Sequence, residues 1–282
     1  MNRPARACLL LLLLPALDAC AGAPATPPLP PPLAYRVPSA MGPLLYVQAD
    51  STTIEVTAGG RTFPVAAASA ATWALDFEPA AEGLRVTADL RDLDARLDNP
   101  LTGARRADES DVAGPAVFTL GPRGEAELVR APSAGGPAGE LFSTAPLVHH
   151  LFPRLPGRTV SPGEAWSDTI RYSTDEGAGE VSAVVALTYV VAGDTLVAGL
   201  PYLLVRFRGR DERSSAGEAG GMAFGQEVEG PVEGFFLWDR GRGALHALEQ
   251  RSDLSGTMSV AVASTPLDVR VRSVMRVGLV GG

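Results

Sequence analysis

The sequence predicts a mainly β protein of antiparallel curved sheets. The sheets form either a half-barrel or a sandwich-like pair, with one short helix between two β-rich halves. Three observations lead there. From Tyr35 onward, short alternating runs are separated by Gly, Asp, Asn and Pro turns. One segment only departs from this period of two and shows helical spacing. After the amino-terminal leucine run no stretch of 18 or more apolar residues occurs, so the pattern holds no membrane-spanning helix.

Taken in order, residues 51–57 (STTIEVT) are rich in β-branched side chains and end at Ala58-Gly59-Gly60, a turn. Residues 73–77 (WALDF) alternate, and a turn ending at Gly83 leads into a run over 84–90. The clearest strand is the last. Val269, Val271, Ser273, Met275, Val277 and Leu279 share one face, with Asp268, Arg270, Arg272 and Arg276 on the other. Such a face-to-face contrast fits a sheet with one side in the core and one in water. Met258, Val260 and Val262, before Ser264-Thr265-Pro266, give its hairpin partner.

The helix falls after Ser143, an N-cap residue, with Pro146 in the first turn. Leu147, Val148, Leu151 and Phe152 fall on one face, and Pro153 ends it after about two turns. The flanking halves share a spacing. Gly83-Leu84 and Gly114-Pro115 stand as far apart as Gly199-Leu200 and Gly230-Pro231, and an aromatic strand follows each Gly-Pro, carrying Phe118 or Phe236. This suggests an internal duplication of 34–135 and 160–280, against coincidence in a glycine-rich β chain.

Ahead of the β region, Arg3 and Arg6 precede six leucines, Leu9 to Leu14, and Leu17-Asp18-Ala19-Cys20 closes the segment. A positive start, an apolar stretch and a small residue describe a cleaved secretory signal. Cys20 directly after Ala19 resembles the lipobox of bacterial lipoproteins, although Asp18 departs from its usual apolar content. The resemblance implies removal of residues 1–19 and acylation of Cys20, so that the membrane is a partner through acyl chains alone. Each buried methylene then contributes about 0.8 kcal/mol. Ala21, where an Asp would favour the inner membrane, implies the outer membrane by the same resemblance. Residues 20–33 thus read as a lipidated cysteine and a tether, AGAPATPPLPPP, whose prolines favour an extended form of about 3 Å per residue. Residues 34–282 are the β domain.

The run Leu151-Phe152-Pro153-Arg154-Leu155-Pro156, followed by Pro162-Gly163-Glu164-Ala165-Trp166-Ser167-Asp168, resembles a family of bacterial envelope lipoproteins without an established activity. The shared pattern is F-P-x-L-P, then P-G-E/D-x-W-x-D. Physically, prolines end the helix, Pro162-Gly163 turns the chain, and Trp166 enters a strand as a core anchor. The resemblance implies fold and envelope location rather than chemistry.

Composition narrows the function. Cys8 lies in the leader, so lipidation of Cys20 leaves no thiol for a disulfide, a metal site or a nucleophile. The net charge is −8, and loss of Arg3, Arg6 and Asp18 with the leader makes it −9. Every basic residue is arginine, and none cluster, which argues against nucleic acid as a partner.

No residue pattern rises to a catalytic signature. His149 and His150 are adjacent on the helix, so their side chains diverge by about 100° and do not suit one metal. His246 lies in a strand without a carboxylate motif. No G-x-S-x-G elbow occurs. Residues 217–221 (GEAGG) lack the Lys-Ser/Thr of a phosphate loop and read as a hairpin tip. Residues 108–111 (DESD) lack the alternation of a calcium loop and read as a solvated turn. Arg206, Arg208 and Arg210, like Arg270, Arg272 and Arg276, alternate along a strand. They either line an anion cleft or form a solvated face paired across strands, the plainer reading.

Large apolar side chains crowd the second half: Leu187, Tyr189, Leu203, Val205, Phe207, Phe235, Leu237 and Trp238. They either fill a core between packed sheets or line an acyl-chain groove in a half-barrel. The expectation is therefore a non-catalytic exported lipoprotein of scaffold or binding role without cofactors. Its alternatives are a carrier of a lipid or other apolar ligand and, behind it, a hydrolase with an unrecognised site. Envelope proteins or lipids are the expected partners.

Overall fold

The structure, a computed structural model, describes residues 31–282 apart from 39–41, 101–102, 137, 142–143, 177–178, 220–221, 262–264 and 281–282. The leader, Cys20 and most of the tether lie outside the described residues.

Fourteen strands run through the described chain: β1 (Leu44–Ala58), β2 (Arg61–Ala80), β3 (Gly83–Asn99), β4 (Gly103–Asp108), β5 (Val112–Ala113), β6 (Ala116–Leu120), β7 (Ala126–Arg130), β8 (Ser133–Ala134), β9 (Ala165–Glu176), β10 (Gly179–Val197), β11 (Leu200–Ala219), β12 (Met222–Asp239), β13 (Ala244–Val260) and β14 (Leu267–Leu279). Two short helices, α1 (Ala138–Leu141) and α2 (Thr144–Leu151), lie between β8 and β9. The expected helix is α2, and α1 is a single turn before it.

One antiparallel sheet takes twelve of the strands, in the order β7-β6-β3-β2-β1-β14-β13-β12-β11-β10-β9, with β4 also on β3. Two meanders, one from each half, meet where β1 pairs with β14. The edge strands β7 and β9 both contact the eight-residue α2. A sheet whose two edges meet one short helix is strongly curled, and the result is a half-barrel with α2 across its open side. Curling brings neighbouring strands very close. A Cβ on Gly209, Gly230 or Gly256 would fall 1.8–2.2 Å from a carbonyl oxygen of the adjoining strand, so these positions need glycine.

The half-barrel has two ends. At the lower end lie the turns at 81–82, 121–125, 198–199 and 240–243; the turn at 59–60 lies at the upper end. Alternation decides which side chains enter the concavity. In β10 the burial of Ala183, Val185, Leu187, Tyr189 and Val191 alternates with exposed residues. The lower half of the concavity is a packed aromatic core. Tyr189 stacks on Trp166 with ring centroids at 5.1 Å, and Tyr35 meets Trp238 edge-on at 5.1 Å and Phe152 at 5.5 Å. A fully buried large apolar side chain contributes about 1.5–3 kcal/mol, and Trp166 is half-buried at the edge of this core. A smaller cluster, Val228, Leu254, Val269 and Val271, packs at the upper end.

The segment carrying F-P-x-L-P closes the lower end. Leu33 N–H donates to the Arg158 carbonyl and Gly157 N–H to the Leu33 carbonyl, while Tyr35 N–H donates to Pro122. Phe152 and Leu155 are buried, and Trp166 Nε1 donates to the Arg154 carbonyl at 3.0 Å. The prolines thus end α2 and turn the chain into β9.

In each half the strand after Gly-Leu pairs with the strand bearing the phenylalanine. Leu84 faces Leu120 and Val86 faces Phe118, while Val205 faces Phe236. The orders β7-β6-β3-β2 and β13-β12-β11-β10 also run in the same sense. The Gly-Pro pairs differ, however. Gly114-Pro115 precedes β6, whereas Gly230-Pro231 lies inside β12. Any long meander pairs successive strands, so connectivity alone does not establish a duplication.

Candidate ligand cavity

Between the aromatic core and the upper cluster the concave face turns polar. The register brings the residues together. Gln48 and Asp50 of β1 lie across from Ala71 and Ser69 of β2 on one side and Val277 and Met275 of β14 on the other. Gln250 of β13 faces Met275, and Ser252 faces Ser273 with their hydroxyls 2.7 Å apart. Within this belt an open cavity of about 290 Å³ is bounded by Gln48, Asp50, Ser69, Gln250 and Ser273 of the sheet, Arg213 of β11 and His150 of α2. Ala67, Ala71 and Ala95 leave the room, and Trp73, Leu93 and Met275 supply an apolar side.

Its electrostatics follow from burial. Gln48 Nε2 donates to Asp50 Oδ2 at 2.6 Å, yet burial still raises the Asp50 carboxyl to about 6. Gln48 Oε1 is buried and accepts no hydrogen bond among the described residues, an acceptor facing a polar space. Asp211, fully buried, is held bidentately by Arg213, whose Nε lies 3.0 and 3.1 Å from the two carboxylate oxygens and Nη2 2.6 Å from one. Burial lowers His150 to about 4, with the charge of Arg213 adding to it, and lowers His149 to about 4. Both are therefore neutral near pH 7. His149 stacks on Tyr172 at 4.7 Å, and His150 Nε2 lies 3.4 Å from the Tyr172 hydroxyl.

The eight apolar residues of the second half lie elsewhere. Leu187, Tyr189, Leu203, Val205, Phe207 and Trp238 are buried in the main core. Phe235 and Leu237 occupy the alternate positions of β12 and are half-buried. None of the eight lines the 290 Å³ cavity. Four of the six arginines in the two stripes pair across the sheet. Arg210 meets Glu229, Arg270 meets Asp253, Arg272 meets Glu55 and Arg276 meets Glu249. These pairs lie on the exposed face, where solvent screens them and they add little to stability. His246 stacks on Tyr202 at 4.0 Å, and the run at 108–111 is a capped 3₁₀ turn. The tip of the glycine-rich hairpin, 220–221, lies outside the described residues.

Sequence reading missed Gln48, Asp50, Asp211, Arg213 and Gln250. The signal available was a polar residue at an otherwise apolar inward position. Asp211 continues the inward series Val205, Phe207, Gly209, and Gln250 follows Leu248.

No family model matches the chain, and no curated protein matches it. Among solved structures it is similar to the β domain of the Bordetella autotransporter Brka. The identity is 11% and the TM-score 0.24, over 85% of this chain and 100% of that one. A likeness this loose equates no strand with another and adds nothing to the reading of the site.

Proposed function

We propose that the chain is an exported protein of non-catalytic type, held at an envelope membrane by acyl chains on Cys20. Its half-barrel binds a small ligand on the concave face. The observation that carries binding is the cavity itself. It joins an unsatisfied buried acceptor, Gln48 Oε1, and the Asp50 carboxylate to an apolar flank of Trp73, Leu93 and Met275. Above about pH 6 these groups call for hydrogen-bond donors, so the fitting ligand is amphipathic, with a hydroxyl- or amine-bearing head. The non-catalytic reading rests on pairing. Arg213 serves Asp211, Gln48 serves Asp50, and the neutral histidines rest on Tyr172. Anchoring rests on the leucine run and Cys20. A scaffold is the second reading, favoured by the filled aromatic half of the concavity.

Two measurements test this. Metabolic labelling with a fatty acid should mark the wild-type chain and fail in Cys20→Ala; label persisting in the variant rejects the anchor. Solvent extraction of gently purified protein should release a small molecule. Saturable displacement of a fluorescent fatty acid, with no polar molecule released, would point to an acyl ligand instead.

A further inference from the structure

The β10–β11 hairpin ends unlike the other lower-end turns. Residues 196–201 (LVAGLP) are all exposed and carry no charge, with Leu196 71%, Val197 38% and Leu200 48% exposed. The other turns at that end carry Glu82, Arg123, or Arg240 and Arg242. The hairpin also projects. Its ladder to β9 stops at Val190 facing Ala165, with Val191 still bonded to Gly163 and Glu164, and that to β12 stops at Leu203 facing Trp238; beyond these the backbone ladder joins its own two strands. Its two turn residues, Ala198 and Gly199, both have positive φ, 50° and 82°. Such turns favour Asn, Asp or Gly in the first place, and the turn at 59–60 uses two glycines. Ala198 is the one non-glycine residue with positive φ among the described residues. A disfavoured backbone is thus kept with an apolar side chain, where asparagine would be both easier and more soluble.

The position of the tip selects its occupant. The described chain starts at Pro31, and residues 31–36 are bound to this same end. Arg36 Nη2 donates to the Arg240 carbonyl at 2.8 Å, and Arg240 in turn lies 3.7 Å from Asp194, just before the tip. Cys20 precedes Pro31 by eleven residues, a reach on the order of 40 Å when extended. Val37 and Val280, also exposed, lie at the same end. An uncharged apolar projection beside the point where a lipid-tethered chain enters its domain faces lipid before it faces anything else.

Building on the anchored reading above, we infer that residues 196–201 are seated in the headgroup–acyl boundary of the membrane that holds Cys20. The tip would fix the domain's orientation, lower end toward lipid. The test uses the full chain in vesicles of phosphatidylethanolamine and phosphatidylglycerol, with a nitrobenzoxadiazole label on Val197→Cys and, as the upper-end control, on Ala261→Cys. The label at 197 should show blue-shifted emission and lose intensity to spin-labelled lipids, while the label at 261 shows neither. Adding Leu196→Asp and Leu200→Asp should abolish the quenching without releasing the protein. Equal, unquenched emission at both positions overturns the inference, as does a blue shift at 197 that lipid quenchers do not touch, which marks a protein contact. The mass of the Cys20 peptide reads the anchor separately. In the Cys20→Ala background, with vesicles added from outside, quenching at 197 alone keeps the hairpin contact even if the anchor fails.

Discussion

Asp50 gives the cavity a pH signature of its own. Burial raises its carboxyl from the ordinary 3.8 to about 6, so the fold favours the protonated form. The native state then binds more protons than the unfolded chain between those values, and stability falls as pH rises through that window. The loss amounts to roughly 2–3 kcal/mol. Asp50→Asn removes it. His149 and His150, lowered from 6.5 to about 4, act in the opposite sense over the same range, so the difference between wild type and variant is what isolates Asp50. From about pH 4 to pH 7, urea unfolding should show Asp50→Asn gaining on the wild type by that amount; parallel curves would refute the assignment. Arg213 is the converse case. Arg213→Met leaves the Asp211 carboxylate buried without its partner and should cost about 3–5 kcal/mol, most of which Arg213→Met with Asp211→Leu restores. Equal losses in the single and double variants would show that packing, not the stranded charge, sets the cost. Neither residue stood out in the sequence, because an isolated Asp or Arg in an alternating run reads as outward-facing until strand register puts it inside.

At the scale of elements, the helix was the easiest to read. An early proline, apolar residues at helical spacing and Pro153 all agree, and α2 ends at Leu151; the N-cap expected at Ser143 lies outside the described residues. Strand lengths were the hardest. Short runs were expected, yet β2, β10, β11 and β12 run for 18–20 residues. Gly209, Gly225, Pro231 and Gly234 look like punctuation but sit inside strands. Gly234 does so because a Cβ there would lie 2.5 Å from the Phe207 ring, and Pro231 because the β12–β13 ladder skips positions 230–231. Glycine in this sheet serves curvature, a demand set by the whole barrel and absent from any local window. Phe152 links elements. Its ring meets Tyr35 at 5.5 Å and Phe118 at 5.3 Å, joining residues 31–36 to β6. Phe152→Ala should cost about 3–5 kcal/mol and speed amide exchange at Leu33 and Tyr35. Unchanged exchange there would separate the entry segment from the helix.

For the whole molecule, the fold class was legible and the division of the concave face was not. Alternation gave antiparallel sheets curved around a short helix, and the half-barrel is the form they take. Which inward residues fill and which leave space depends on rows across many strands. One row runs Trp166, Tyr189 and Phe207 as core, crosses Gly234 and continues through Gln250, Met275, Asp50 and Ser69, where it lines the cavity beside the small Ala67, Ala71 and Ala95. The crowding of aromatic residues therefore located the packed half, and the cavity lies where the sequence is quietest.

The central claim, that this cavity holds a ligand, is tested most directly by native mass spectrometry of gently purified protein beside a Ser69→Trp variant. Ser69 is half-buried, lies across from Asp50 and lines the cavity, so an indole there occupies the space. The wild type should carry a non-covalent adduct of a small molecule that Ser69→Trp lacks while keeping its fold by circular dichroism. No adduct on the wild type, or the same adduct on both, would contradict the account.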